Sequence, residues 1–225
     1  MQLIADPTHD ARLDACATMY PSRMTALRDN LELGCTTSSY YGYIVEGSAK
    51  IQTATLELVG RAGTFFSLPG GAKLQVEGLT VVIERLGYRC LPLVGSIEDR
   101  GRLAYIDGCS DSVLAAPARL GDPVLNLLHF PVGINQSVHS HPSIRLGVVA
   151  RGLGYAFGPG PGPDWRLELR PGAMFMIEAH ELHAFSTTHS GSPLDIIAFH
   201  PDSDWGPTDG VHPMLNRTFL REARS

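Results

Sequence analysis

The sequence predicts an all-β protein made of two similar halves behind short N-terminal helices, and three observations lead there. From Tyr40 onward the chain runs in short stretches of Val, Ile, Leu, Phe and Tyr punctuated by Gly, Pro and Asp, the pattern of many short strands in a sandwich or barrel. Parallel βα repeats are absent. One plan also occurs twice: "YIVEGSAKIQ" (43–52) followed by "AGTFFSLPGGAKL" (62–74) matches "GVVARGLGYAF" (147–157) followed by "RPGAMFMIEAHELH" (170–183).

Taken in order, residues 8–32 space Ala, Leu and Met at helical intervals with scattered charge, interrupted at Pro21. This predicts two short helices within an N-terminal segment 1–34. The first β half is then 35–110 and the second 111–225. Gly47 answers to Gly152 at an offset of 105, and Gly63 to Gly172 at an offset of 109. The four-residue difference is assigned to the loop "GPGPGPD" at 158–164. The divide is placed near 107–122, "DGCSDSVLAAPARLGD", which has turn chemistry at both ends. Two copies suit a β unit, because each open face needs a partner to bury it.

With 225 residues, 44% hydrophobic and 18% charged, the chain can bury a full core. Eighteen Lys and Arg against 23 Asp and Glu give a net charge of −5 without a basic run, which argues against nucleic acid as a partner. The first residues carry charge where a signal core would be apolar, and no long apolar stretch follows. The expectation is a cytoplasmic protein with no membrane association. Cys16, Cys35, Cys90 and Cys109 form no CxxC pair and are expected to be small buried hydrophobes. No P-loop and no nucleophile elbow occur, so nucleotide binding and serine hydrolysis have no support.

The chemistry concentrates in "GINQSVHSHPSIRLGVVARG", residues 133–152. Side chains alternate along a strand, so His139 and His141 share a face with Ser143, Arg145 and Gly147. Two imidazoles about 7 Å apart along the backbone converge on one metal ion if a neighbouring strand supplies a third ligand. Imidazole nitrogen suits iron, nickel, copper or zinc better than calcium or magnesium.

At these residues the sequence resembles the cupins, whose first motif is G-x5-H-x-H-x3,4-E-x6-G and whose second is G-x5-P-x-G-x2-H-x3-N. Gly133, His139, His141, Arg145 and Gly152 match every spacing of the first, with Arg145 where the family has glutamate. The second begins at Gly172, with Glu178 in place of proline, His180 in place of glycine and His183 at the third histidine. In the first half, Gly63, Pro69 and Gly71 match the second motif, but Leu74 stands at the histidine position and no histidine precedes Gly47 in "GCTTSSYYGYIVEG". The resemblance implies a double-stranded β-helix, or jelly roll, as a bicupin whose first half is degenerate and whose second half binds metal.

It further implies one divalent transition metal ion on His139, His141 and His183, with iron(II) favoured and zinc, nickel or manganese as alternatives. Arg145 is a candidate catalytic residue that captures a substrate anion, or else pairs internally with Glu178, Glu181 or another carboxylate. His180 is the other catalytic candidate, as fourth ligand, base or rim residue. His180 and His183 are three apart, not four as a metalloprotease helix requires. Gln136, Ser143, Tyr155 and Phe185 have positions compatible with a pocket. The segment "FHPDSDWGPTDGVHPMLNRT", 199–218, is read as a structured loop or a cap over the barrel mouth. The function implied is a three-histidine iron dioxygenase acting on a small anionic organic substrate. The alternatives are a Lewis-acid isomerase, lyase or hydrolase, and a non-catalytic ligand-binding cupin. By the same resemblance a homodimer is expected.

Overall fold

A computed structural model describes residues 1–119, 121–187 and 191–202, with the backbone of Phe219–Leu220. The described residues are all-β, with one 3-10 turn at Ile106–Gly108 and no α-helix. The expected N-terminal helices are instead the strands Gln2–Ile4, Arg12–Ala15, Ser22–Leu27 and Leu31–Leu33. The apolar spacing also satisfies a period of two: Leu13 with Ala15, and Met24 with Ala26, face inward with less buried neighbours between them. In runs this short the partner decides, and Ser22–Leu27 is hydrogen-bonded along Ala72–Arg85.

The chain divides into two compact units, Asp6–Glu98 and a second formed by Met1–Ala5 with the chain from Asp99 onward. These limits differ from 34/35 and 110/111. Residues of Arg12–Ala15, Ser22–Leu27 and Leu31–Leu33 pair into the first unit, while Leu103–Ala104 and Ser110–Ala115 extend a sheet of the second. Gln2–Ile4 joins the second unit through Met174–Ile177.

In the first unit, the 14-residue strands Ser39–Gln52 and Ala72–Arg85 pair antiparallel along their length. Their inward side chains, Tyr40, Ile44, Leu74 and Val82 among them, bury one apolar cluster with Phe66 and Leu68. Leu74, at the position of the absent histidine, is 1% exposed within that cluster. The second unit has a seven-stranded sheet ordered Gln2–Ile4, Met174–Ile177, Arg145–Gly152, Leu194–His200, Val124–Phe130, Ser110–Ala115, Leu103–Ala104. A three-stranded sheet of Trp165–Leu169, Gly154–Gly158 and Ala184–Ser186 completes its core. Phe130, Val149, Phe175 and Ile196 from the first sheet meet Ala156, Leu169 and Phe185 from the second. Burying each large side chain is worth about 1.5–3 kcal/mol.

The repeat has a structural counterpart in each unit. Ser39–Gln52 and Arg145–Gly152 shift register at equivalent positions, between Ile44 and Glu46 and between Val149 and Arg151. Gly63 N donates to Ile44 O at 2.9 Å, and Gly172 N to Val149 O at 2.8 Å. A Cβ on Gly42 would lie 2.1 Å from the Phe66 ring, and one on Gly147 would lie 2.1 Å from the Phe175 ring. Gln52 pairs with Glu57 where Phe157 pairs with Arg166, so the extra residues fall in the hairpin loop that contains 158–164, as the offsets predict.

All four cysteines are free, but only Cys109 is buried; Cys16 and Cys90 are half-buried and Cys35 is exposed. The expectation of four buried hydrophobes fails because Cys35 lies in an exposed loop, where Ser38 Oγ and the Thr37 hydroxyl meet its Sγ. No helix among the described residues is long and apolar enough to cross a membrane.

Candidate metal centre

Two antiparallel segments of the second unit bring the three histidines together. After the turn at Val132–Gly133, the chain runs beside Ala184–Ser186: Thr187 N bonds Ile134 O, and Gln136 N bonds Phe185 O. His139 and His183 then exchange both backbone hydrogen bonds at 2.9 Å, and His180 N donates to His141 O at 2.7 Å. A hydrogen-bonded antiparallel pair directs its side chains to one face, which aligns His139 with His183. The expected strand through His141 is broken: His139–Ser140 is a two-residue strand paired with Phe219–Leu220, and ladder pairing resumes at Arg145. Pro142, which lacks an N–H, stands at the break.

The ligand atoms of His139, His141 and His183 lie within 4.8 Å of one another. His139 Nδ1 is 2.9 Å from Ser137 O, and His183 Nδ1 is 2.8 Å from Glu181 O. A carbonyl only accepts, so each Nδ1 carries the proton and each Nε2 keeps its lone pair for a metal ion. The donor set therefore fits a first-row divalent ion, with all three imidazoles 5% exposed or less.

Burial holds His141 and His183 well below the ordinary histidine pKa, assisted by the Arg145 charge and neighbouring imidazoles. His200 is lowered in the same way, by burial and then by Arg145. Below about pH 6.5 the unfolded chain protonates these three while the metal-free folded state does not, so stability falls as pH falls. Asp111 works in the opposite sense: burial raises its carboxyl to about 7, against the hydrogen bond from Asn126. Net uptake of two protons on unfolding predicts a loss of about 3 kcal/mol per pH unit between about pH 6 and 5. Urea midpoints in chelator across this range check it, and a flat profile would contradict it.

Arg145 is 4% exposed on the strand Arg145–Gly152, opposite Ile177. Its Nη1 donates to Ser143 O, Ser143 Oγ and Ile144 O at 3.1, 2.7 and 2.8 Å. Burial lowers its pKa to about 10, against the pull of Asp202 and Tyr105, so it stays cationic at neutral pH. The expected pairing with Glu178 or Glu181 is not found: Glu181 meets the Met1 ammonium, and Glu178 accepts from Gln2. Asp202 reaches Arg145 through Ser143, whose hydroxyl donates to it.

Arg145 and the three histidines share a cavity with Gln136, His200, Tyr105 and an apolar wall that includes Phe175, Ile177 and Phe185. The cavity is small, about 20 Å³, little more than a single water molecule needs. Phe175 reaches this wall because Gly147 leaves room for its ring. His200 escapes the motif reading. It ends the strand Leu194–His200, its ring 6.3 Å from that of His141, and lines the cavity with Ile196 and Ala198 of the same strand.

Of the other candidates, Gln136 and Phe185 line the cavity, and Ser143 lies behind Arg145. Tyr155 does not line it; its ring stacks under the Arg166 guanidinium at 3.8 Å. His180 is exposed on a turn away from the lining, which removes its reading as ligand or base. Its φ of 61° shows why the motif has glycine there: Gly71, its counterpart, has φ 96° and donates to Leu33 O at 2.6 Å as His180 does to His141 O. His180 thus contributes a backbone bond that holds the His141 segment. Of 199–218, residues 203–218 lie outside the described residues.

Compared with known proteins, the sequence matches no family model and no curated protein. The structure does match solved ones. A cupin 2 conserved barrel domain protein from Leptotrichia buccalis aligns with TM-score 0.56 and 15% identity over 87% of this chain and 90% of that one. An oxalate decarboxylase from Bacillus subtilis with Mn(II) centres aligns at 0.54 and 10% over 87% and 73%. A variant of salicylate 1,2-dioxygenase from Pseudoaminobacter salicylatoxidans aligns at 0.56 and 10% over 79% and 69%. At these identities the likeness is one of fold, and the fold is that of cupin-domain proteins.

Proposed function

We propose that the chain is a bicupin whose second unit is a mononuclear metal-dependent oxygenase acting on a small organic anion. The reading rests on one observation: three buried imidazoles, their ligand atoms within 4.8 Å, face a cavity that also holds a buried arginine. The matched register shifts and glycine–phenylalanine contacts support two copies of one unit. Leu74 in its apolar cluster supports a first copy without metal.

His139, His141 and His183 would hold the ion, iron(II) in our reading, and among the described residues no carboxylate joins them, Arg145 standing where the cupin motif has glutamate. When bound, the ion supplies open coordination positions and redox chemistry for an organic substrate and dioxygen. Arg145 offers its guanidinium to the substrate anion and holds it in one orientation, since three hydrogen bonds fix Nη1. The apolar wall limits water near the reacting groups. The fold it shares with salicylate 1,2-dioxygenase is compatible with this chemistry. A Lewis-acid reading draws on the Mn(II)-containing oxalate decarboxylase of the same fold.

Metal analysis of untagged protein, joined to oxygen-electrode assays with small carboxylic acids and thiols, separates them. Near-stoichiometric iron with substrate-dependent oxygen uptake is expected. Manganese, nickel or zinc with oxygen-independent turnover would transfer the assignment to the second reading, and absence of metal would sink both.

A further inference from the structure

Three buried polar groups around this one cavity have unused hydrogen-bonding capacity among the described residues. His200 is 4% exposed, and neither ring nitrogen has a hydrogen-bond partner. Gln136 is 2% exposed; its Oε1 accepts from Phe185 N at 3.3 Å, which fixes the amide, and its Nε2 has no partner. Arg145 Nε is likewise unpartnered, although Nη1 is fully engaged. Buried polar groups are ordinarily paired, and much of the remaining wall is Leu, Phe, Ile and Ala, which cannot answer them.

The unused capacity has a definite sign. Arg145 Nε and Gln136 Nε2 are donors, so both call for an acceptor such as a carboxylate. His200 as neutral imidazole presents one donor and one acceptor in either tautomer, so a carboxylate alone leaves its acceptor unused. An O–H or N–H on the ligand completes the set.

We infer that His200 is a substrate-contacting, specificity-determining residue, and that the cavity takes a small carboxylic acid bearing an adjacent hydroxyl or amino group. The acid binds Arg145 and Gln136, and the second group bonds His200. This rests on the metal-dependent reading above, because the same cavity contains the three histidine ligands.

The test measures dissociation constants of acetate and glycolate by calorimetry on the zinc-loaded full chain, for the unchanged protein, His200→Phe and Arg145→Met, with zinc content measured on each sample. Chelation of the ion favours glycolate equally in all of them, so the comparison between proteins isolates the side chains. Glycolate is expected to bind more tightly than acetate, with the ratio falling about tenfold in His200→Phe at full zinc occupancy. Arg145→Met is expected to weaken both acids. An unchanged ratio in His200→Phe would overturn the inference, and so would loss of zinc, which would make His200 a ligand. If His200→Phe does not fold, His200→Asn, with its shorter side chain withdrawn from the ligand, is read by the same ratio. An unchanged protein that holds no zinc would overturn the metal reading itself, an outcome distinct from both.

Discussion

Replacement of His183 by alanine is expected to empty the metal centre, and replacement of His139 to do the same. A structural zinc site with four donors is worth about 10–16 kcal/mol, or roughly 3 kcal/mol for each donor. Losing one of three imidazoles therefore weakens binding on the order of 100-fold or more. The remaining two cannot compensate, because their orientation is built into the backbone: His139 and His183 face each other across a pair of 2.9 Å hydrogen bonds, and each Nδ1 is tied to a carbonyl. Those backbone bonds survive truncation, so the metal-free variant keeps its fold. The distinguishing measurement is the metal-induced rise in unfolding temperature, which follows from binding to the folded state alone. The unchanged protein should show it, and His183→Ala and His139→Ala should not at the same metal concentration. A full rise in both variants would show that the ion sits elsewhere.

The histidines are legible in the sequence because their spacing reflects an antiparallel register. Gly133 turns the chain, the next residues run beside Ala184–Ser186, and His139 arrives opposite His183. The repeat is legible for a related reason: register shift, glycine and aromatic ring are one local device, and its residues keep their offsets in both units. The N-terminal strands are not legible, since runs of three to six residues satisfy either period and the deciding partners lie far along the chain: Ala72–Arg85 for Ser22–Leu27 and Leu31–Leu33, and Met174–Ile177 for Gln2–Ile4. His200 is hidden because all seven residues of Leu194–His200 are buried, so the inward face leaves no alternation to read. His180 misleads in the opposite direction, a residue with suitable chemistry at a position selected by its φ of 61°.

That backbone constraint gives the second large effect. Gly152→Ala is expected to destabilise the second unit by about 3–5 kcal/mol, lowering its unfolding temperature on the order of 10 °C. Gly152 has φ +76°, where a Cβ costs roughly 1–2 kcal/mol by itself. The larger part comes from position: the Cβ would lie 1.8 Å from Pro193 O, in the strand pairing beside Leu194, and a backbone oxygen held in a sheet cannot swing aside. Gly47 repeats the geometry in the first unit, with φ +74° and a Cβ 2.0 Å from Glu77 O, so Gly47→Ala should cost a similar amount there. Gly133 separates the two contributions, having φ +86° but nothing within 4 Å of a Cβ, and Gly133→Ala should lose only the conformational part. The converse change, His180→Gly, removes a side chain from the left-handed region and should raise stability by a few tenths of a kcal/mol to about 1 kcal/mol, offset in part by the entropy of the unfolded glycine. Denaturant midpoints for the four variants rank them. Gly152→Ala losing no more than Gly133→Ala would mean that the two strands separate freely at this point, and the tight crossing beside Pro193 would then contribute nothing to holding the Arg145 strand against Leu194–His200.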